Sequence, residues 1–387
     1  MHQLNPVTEQ IQISGIRRFT DLVAKYPDAL SLTIGQPHWP TPQHVKEAAM
    51  AAIEKGYTTY TPNRGLPALL QAAHAYYGTK FDLDYHPEKE ILVTAGATHA
   101  LDISLRALLE PGDEVLIPGP AYPGYEPIVL LAGAKPVYID TRADGFKVTS
   151  KTLQANITRR TKVLVLPSPA NPTGVAYTRE ELEALAAVLQ STGVYVITDE
   201  IYSELHFADG HVSFATLPGM RSRTIVIHGL SKSHSMTGWR IGFVLAPAEI
   251  AQQMVKVLQY SISCASSISQ YAALEALSHG QRDAEPMREQ YRQNRDMVVR
   301  ALTEMGLEVV VPDGAFYAFP DVSTTGQSSQ AFAQALLHEA RVAVVPGDAF
   351  SALGEGYIRL SYACEEQKLE AALARIGQYV ARRTAQA

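Results

Sequence analysis

The chain has 387 residues, 46% of them hydrophobic and 19% charged, an ordinary globular composition with length for two or three domains. A formal net charge of -6 leaves no basic footprint for nucleic acid, and no run of about 18 apolar residues is present to span a membrane. The opening residues MHQLNPVTEQ lack a basic stretch followed by an apolar core, so they do not read as a secretory signal.

The first thirty residues are expected to pack with a smaller C-terminal domain. Residues 31–42, SLTIGQPHWPTP, read as an irregular, proline-rich crossing segment rather than a sheet strand. Residues 89–96, KEILVTAG, read as a strand that breaks at a glycine, and the THALDISLRALL that follows has apolar residues at helical spacing. Strands are expected again at 113–120, 134–140, 161–169, 194–200 and 224–230, with helical segments between several of them, such as TREELEALAAVLQ at 178–190. This alternation predicts an α/β fold whose mostly parallel sheet carries helices on both faces. Such sheets bind their ligands at the carboxyl ends of the strands. From about residue 282 the pattern changes to a long charged helix, then strands in LEVVVP, GAFYAFP and VAVVPG, then a final helix over about 365–383. These predict a smaller α+β domain. The expected division is an N-terminal segment at 1–44, a large domain at 45–285 and a small domain at 286–387.

The segment HGLSKSHSMTGWRIGF at 228–243 carries the most chemistry. Lys232 lies just past a strand end, where its amine can condense with an aldehyde if desolvation or nearby positive charge draws its pKa toward neutrality. A lone lysine is ordinarily a solvated surface charge. Here Ser231, Ser233, Ser235, Gly238 and Arg240 surround it, and small hydroxyl residues with an arginine suit a phosphate. The two cysteines, Cys264 and Cys364, are far apart and make no metal pattern; they suit a reducing cytoplasm. The 12 histidines show no pair at metal spacing, so no metal is expected, and His228 and His234 beside Lys232 read as packing or supporting residues.

SKSHSMTGWRIG resembles the lysine motif of the class I/II aminotransferases, the fold-type I pyridoxal-phosphate enzymes, and the resemblance runs from SLTIGQP near residue 31 to YIRLSYA at 357–363. It implies a large domain with a mostly parallel seven-stranded sheet flanked by helices, plus the smaller α+β domain. It also implies pyridoxal 5'-phosphate as cofactor, held as a Schiff base on Lys232. In the family an aspartate at the position of Asp199, in TDEIYSE, pairs with the pyridine nitrogen and keeps the ring an electron sink. Taken alone, a strand-end aspartate is more often a cap or turn residue. Tyr202 and Asn171, the latter in PSPANPTG, correspond to donors on the cofactor's phenolic oxygen, although NPTG also reads as a plain turn.

TAGATHAL opens a helix after a strand, so the backbone N–H groups of Ala97 and Thr98 are expected at the phosphate with Ser231 and Arg240. Tyr122, in GPAYPGY, matches the aromatic residue that stacks on the ring; without the resemblance it would read as core. Arg359, in GYIRLSYA, matches the clamp on the substrate α-carboxylate, assisted by Gly35, with Asn171 and Ile16 also at the substrate. Tyr60, in TTYTPNRG, matches a tyrosine that reaches the partner's cofactor phosphate, which implies a homodimer with shared active sites.

The resemblance implies transamination between an L-amino acid and an oxo acid. A C–S β-lyase on the same fold would use the same motifs, but MTGWRIG favours the aminotransferases. A pyridoxal-phosphate-sensing regulator would need a winged-helix DNA-binding domain, for which this chain has no room and no basic patch. ISGIRRF, GLSKSHSMTGWRIGF and SCASSISQ are similar to the N-acetyl-LL-diaminopimelate aminotransferase branch, which implies a role in lysine biosynthesis with 2-oxoglutarate as acceptor. Arg17 or Arg18 would then hold the donor's far carboxylate, although each alone also reads as a solvated charge on a helix. The alternative is an aspartate, aromatic or methionine aminotransferase of broad specificity.

Overall fold

Apolar runs with no polar alternation suit strands covered on both faces. The computed structural model describes residues 4–208 and 210–384. Seven strands form one sheet: β1 (Ile91–Thr94), β2 (Glu114–Gly119), β3 (Lys135–Asp140), β4 (Thr161–Pro167), β5 (Tyr195–Asp199), β6 (Thr224–Gly229) and β7 (Gly242–Leu245), largely buried except at the edge strand β3. Their spatial order is β1-β7-β6-β5-β4-β2-β3. β7 runs antiparallel to β1 and β6, and the other pairs are parallel. The register sets Asp199 level with Pro167 on one side and Ile227 on the other, at the carboxyl edge.

The longer helices are α1 (Gly15–Val23), α2 (Gln43–Glu54), α3 (Pro67–Phe81), α4 (Ala97–Leu108), α5 (Arg179–Gln190), α6 (Ala248–Ile262), α7 (Ser267–His279), α8 (Ala284–Glu304), α9 (Ser329–Ala340) and α10 (Glu366–Thr384). Strand alternation divides the sheet's side chains between two layers. Val115, Ile117, Val163 and Val165 face Leu101, Leu105, Met254 and Leu258 of α4 and α6. Leu116, Leu164 and Leu166 face Leu182, Leu185 and Leu189 of α5. Each such side chain contributes about 1.5–3 kcal/mol when fully buried. Thr178 starts α5 with a capping box closed by Glu181, and the two side chains supply acceptors for N–H groups that the first turn otherwise leaves free.

A separate core gathers Phe316, Phe332, Leu336, Ile358, Leu360 and Ile376 among α8, α9, α10 and a small antiparallel sheet. That sheet comprises β8 (Tyr317–Ala318), β9 (Val345–Pro346) and β10 (Ile358–Ser361), with β10 in the centre. Phe19 of α1 is buried in this core. Among the described residues no helix is long and apolar enough to cross a membrane.

Two local expectations differ from the structure. LEVVVP forms no strand: Val310 and Val311 point to solvent, and the Glu308 carbonyl accepts a single bond from the Asp321 N–H at 2.8 Å. β-Branched content suits a pleated surface, but no neighbouring strand is there to pair with it. The crossing segment is not wholly irregular either, because Leu30–Ser31 pairs in parallel with Val342–Ala343 before the chain turns away.

Candidate active site

The carboxyl edge of the sheet opens into a cavity of about 580 Å³ between the two cores. Four elements deliver its polar groups. β5 ends on Asp199, and the turn after it carries Tyr202. The turn after β6 carries Ser231, Lys232, Thr237 and Arg240. β1 runs through Ala95 and Gly96 into α4, which begins with Ala97 and Thr98. β10, from the second core, contributes Arg359. Tyr122, Asn171, Gly35 and Ile16 complete the expected set on the cavity wall. Tyr60 is not on this wall; its side chain is 88% exposed on its own chain.

Lys232 Nζ donates to the Gly35 carbonyl at 2.6 Å and lies 5.7 Å from the Tyr202 ring and 5.8 Å from the Phe316 ring. Burial, reinforced by the positive charges of Arg359 and Arg240, draws its pKa down to about 8. The amine therefore reaches its neutral, nucleophilic form near physiological pH.

Asp199 is buried, and burial raises its pKa, against a hydrogen bond donated by the Tyr125 hydroxyl at 2.8 Å and one from the Ile201 N–H at 3.3 Å. Arg359 is only 2% exposed. It donates to Asn171 Oδ1 at 3.0 Å and to the Thr33 carbonyl at 2.8 Å, and stands 4.3 Å over the Tyr317 ring. Its Nε is buried without a partner. The Tyr202 and Tyr317 hydroxyls lie 2.8 Å apart, and burial pushes the Tyr202 pKa well up, so both remain protonated donors.

The start of α4 has the form of an anion cradle. Gly96 holds a left-handed φ of 84°, and a Cβ there would lie 2.5 Å from Arg240 Nη2, so glycine is what lets the guanidinium close over the helix terminus. Arg240 is tethered by its Nη1, which donates to the Thr237 carbonyl at 3.0 Å.

These residues fit pyridoxal 5'-phosphate on three counts. A buried carboxylate faces the cavity with acceptor capacity for a ring N–H. An amine of lowered basicity stands at its centre. A glycine-built helix terminus beside an arginine supplies anion donors. The orphaned Arg359 Nε adds a buried donor matched to a substrate carboxylate.

Ser233 and Ser235, expected near the phosphate from spacing, turn away. Ser233 Oγ pairs with His234 Nδ1 at 2.8 Å, and Ser235 Oγ donates to the Met287 sulfur at 3.8 Å. Several cavity residues escaped the sequence reading, Tyr125 and Tyr317 among them. Tyr125 lies three positions after Tyr122 in the same GPAYPGY motif, and Tyr317 sits in GAFYAFP, where it read only as strand. Arg17 lines the cavity beside Ile16, and Arg18 does not.

A sequence profile described as aminotransferase class I and II matches residues 27–376. A probable N-acetyl-LL-diaminopimelate aminotransferase of Bacillus subtilis is 54% identical, over 98% of this chain and 96% of that one. An aspartate aminotransferase of Pyrococcus abyssi is 44% identical, over 94% of each. The structure of the aspartate aminotransferase of Thermus thermophilus with maleate superposes with a TM-score of 0.93 at 37% identity, covering 98% of this chain and all of the other.

Proposed function

This chain belongs to the class I and II aminotransferases, and from that premise we propose which of its residues carry the reaction and which donor they receive. The enzyme depends on pyridoxal phosphate and exchanges an amino group between an amino acid and an oxo acid. The convergence of Lys232, Asp199 and Arg359 on one cavity carries the assignment. Bound pyridoxal 5'-phosphate supplies the electron sink for the negative charge that develops at the substrate Cα.

Asp199 holds the pyridine N–H, and Tyr125 fixes the carboxylate that does so. A charge-assisted hydrogen bond of this kind contributes about 1.5–3 kcal/mol. Tyr202 donates to the phenolic oxygen. Asn171 spends its Oδ1 on Arg359, which leaves its Nδ2 to donate there as well. The Ala97 and Thr98 N–H groups, Ser231 and Arg240 hold the phosphate, and Tyr122 covers the ring. Lys232 holds the cofactor covalently. The free Lys232 Nζ would take the proton from the substrate Cα, a task that suits an amine titrating near neutrality. Arg359 clamps the α-carboxylate with the Gly35 N–H beside it, and Ile16 packs against the substrate.

The enzyme works as a homodimer in which Tyr60 serves the partner's phosphate. Met50, Ile53 and Tyr57 are exposed along one side of α2 and just beyond it, and Tyr60 follows them, an apolar run suited to a partner surface. The free thiols of Cys264 and Cys364 suit a cytoplasmic setting. The division at 1–44, 45–285 and 286–387 is supported by an apolar cluster drawn mainly from residues 287–380 and by three others drawn wholly from residues 45–277. A smaller cluster crosses it, joining Phe146 and Val175 to Phe319, Val345 and Phe350.

N-acetyl-LL-diaminopimelate is the proposed donor and 2-oxoglutarate the acceptor, in lysine biosynthesis. The similarity to the Bacillus subtilis protein supports this, as does Arg17 on the cavity wall, where it can meet a far carboxylate. The similarity to aspartate aminotransferases supports a second reading, a broad aspartate or aromatic enzyme. Steady-state comparison of four donors separates them: N-acetyl-LL-diaminopimelate should outperform aspartate, phenylalanine and methionine. If aspartate or phenylalanine wins by about tenfold, a difference of about 1.4 kcal/mol, the broad reading stands.

A further inference from the structure

Behind Asp199 lies a buried ion cluster to which the reaction assigns no task. Glu200 directly follows Asp199 and is wholly buried. Its Oε1 accepts from Ser213 Oγ at 2.7 Å and from Thr198 Oγ1 at 3.0 Å. Its Oε2 lies 2.8 Å from His211 Nε2 and 3.4 Å from His228 Nε2. The His228 ring is stacked on Tyr77 at 4.4 Å and on Phe81 at 5.3 Å, its plane nearly parallel to both. A carboxylate removed from water must be matched by positive charge and hydrogen bonds. Burial alone would raise the pKa of Glu200, but His211 and His228 outweigh it and hold the group well below the usual carboxylate range. The other titratable groups around the cluster, among the described residues, are Asp199, Tyr77, Tyr85, His206 and the Lys80–Glu204 pair.

The cluster joins the two strand ends that bear the proposed ring and covalent residues. Glu200 follows Asp199 on β5, and its N–H donates to the Ile227 carbonyl of β6 at 2.9 Å. His228 is the next residue of β6, and Lys232 lies four positions beyond it. His211 reaches the same carboxylate from the loop after β5. Of the two imidazoles, His228 also acts on Asp199, favouring its ionised form, while Glu200 opposes it.

We infer that Glu200, His211 and His228 form a positioning cluster that fixes the spacing of Asp199 and Lys232 and sets the charge behind Asp199. The inference rests on the reading of Asp199 and Lys232 given above. None of the three residues touches the substrate; they act through Asp199.

The test uses the holoenzyme of His228→Phe, which keeps an aromatic ring on Tyr77 and Phe81 but removes the imidazole. His228→Asn is a second, smaller variant in case the first folds poorly. An imidazolium at His228 disfavours protonated forms within the site, so its removal favours them. The pH midpoint of the visible absorbance should therefore rise by about half a unit in both variants, the size expected of one charge acting through a partly screened interior. The kcat should fall about tenfold while KM stays within about twofold. In cofactor-free Glu200→Gln, amide hydrogen exchange at 199–202 and 228–232 should quicken relative to the rest of the sheet. A purely structural role would lower the melting temperature and leave the midpoint in place; an unmoved or lowered midpoint overturns the inference. Asp199→Asn is the control. If it retains full kcat, the reading of the site fails; if it is crippled while both His228 variants keep the wild-type midpoint, only the cluster's role fails.

Discussion

The two walls of the cavity are made of different material. On one side Asp199, Tyr202 and Lys232 rise from the ends of β5 and β6, strands whose residues are almost all buried. On the other, Ile16, Arg17, Ile34 and Gln36 come from α1 and the crossing segment, where Ile34 is 49% exposed and Arg17 faces solvent. The difference separates two tasks. Proton transfer needs atoms held to fractions of an ångström, and packed strands supply that. Selecting among donors needs a surface that can close on side chains of different length, which suits exposed, loosely held segments.

If the division holds, changes on the packed wall should lower activity for every donor, and changes on the exposed wall should act on some donors only. Lys232→Ala should have the largest effect, abolishing multiple turnover with all donors while retaining cofactor through the phosphate contacts. The proton-transfer role alone accounts for about 10²–10⁴-fold, and the lost covalent linkage adds to it. Equilibrium dialysis with pyridoxal 5'-phosphate and turnover assays check both halves. Asp199→Ala should lower kcat about 10–100-fold for every donor, the equivalent of one charge-assisted hydrogen bond, with partial recovery in Asp199→Glu. A variant as active as wild type would remove Asp199 from the mechanism.

Arg17→Ala tests the exposed wall. It should cost about tenfold in kcat/KM for N-acetyl-LL-diaminopimelate and almost nothing for alanine, which has no far carboxylate. An equal loss for both donors would erase the distinction between the walls.

The smallest effect is on stability. Lys232 has a lowered pKa, about 8 against an ordinary 10.5. The unfolded chain therefore binds more protons than the folded one between those values, and the charged lysine penalises folding below about 8. In cofactor-free protein, Lys232→Met should melt above wild type at neutral pH, and the gap should close as the pH rises from 8 toward 10.5. A gap that widens with pH would contradict the burial of that amine.

The packed wall was also the legible one. The buried parallel strands announced themselves by largely apolar runs, and the lysine motif stood at a strand end. Resemblance then placed Asp199, Asn171 and Arg359, which lie together in the structure. Tyr125 and Tyr317 stayed hidden because a tyrosine beside apolar residues reads as core; only the fold shows that one hydroxyl meets Asp199 and the other Tyr202. LEVVVP misled for the opposite reason, since strand-like residues form no strand without a neighbour to pair with. Glu200 and His228 are 28 residues apart, and local spacing carries no sign of a pairing made across adjacent strands.

Reduction of the holoenzyme with borohydride, followed by peptide mapping, tests the central claim most directly. The pyridoxyl group should be found on the peptide containing Lys232 and nowhere else in the chain. Labelling of another lysine, with Lys232 unmodified, would contradict the assignment on which the site, its donors and its supporting cluster all rest.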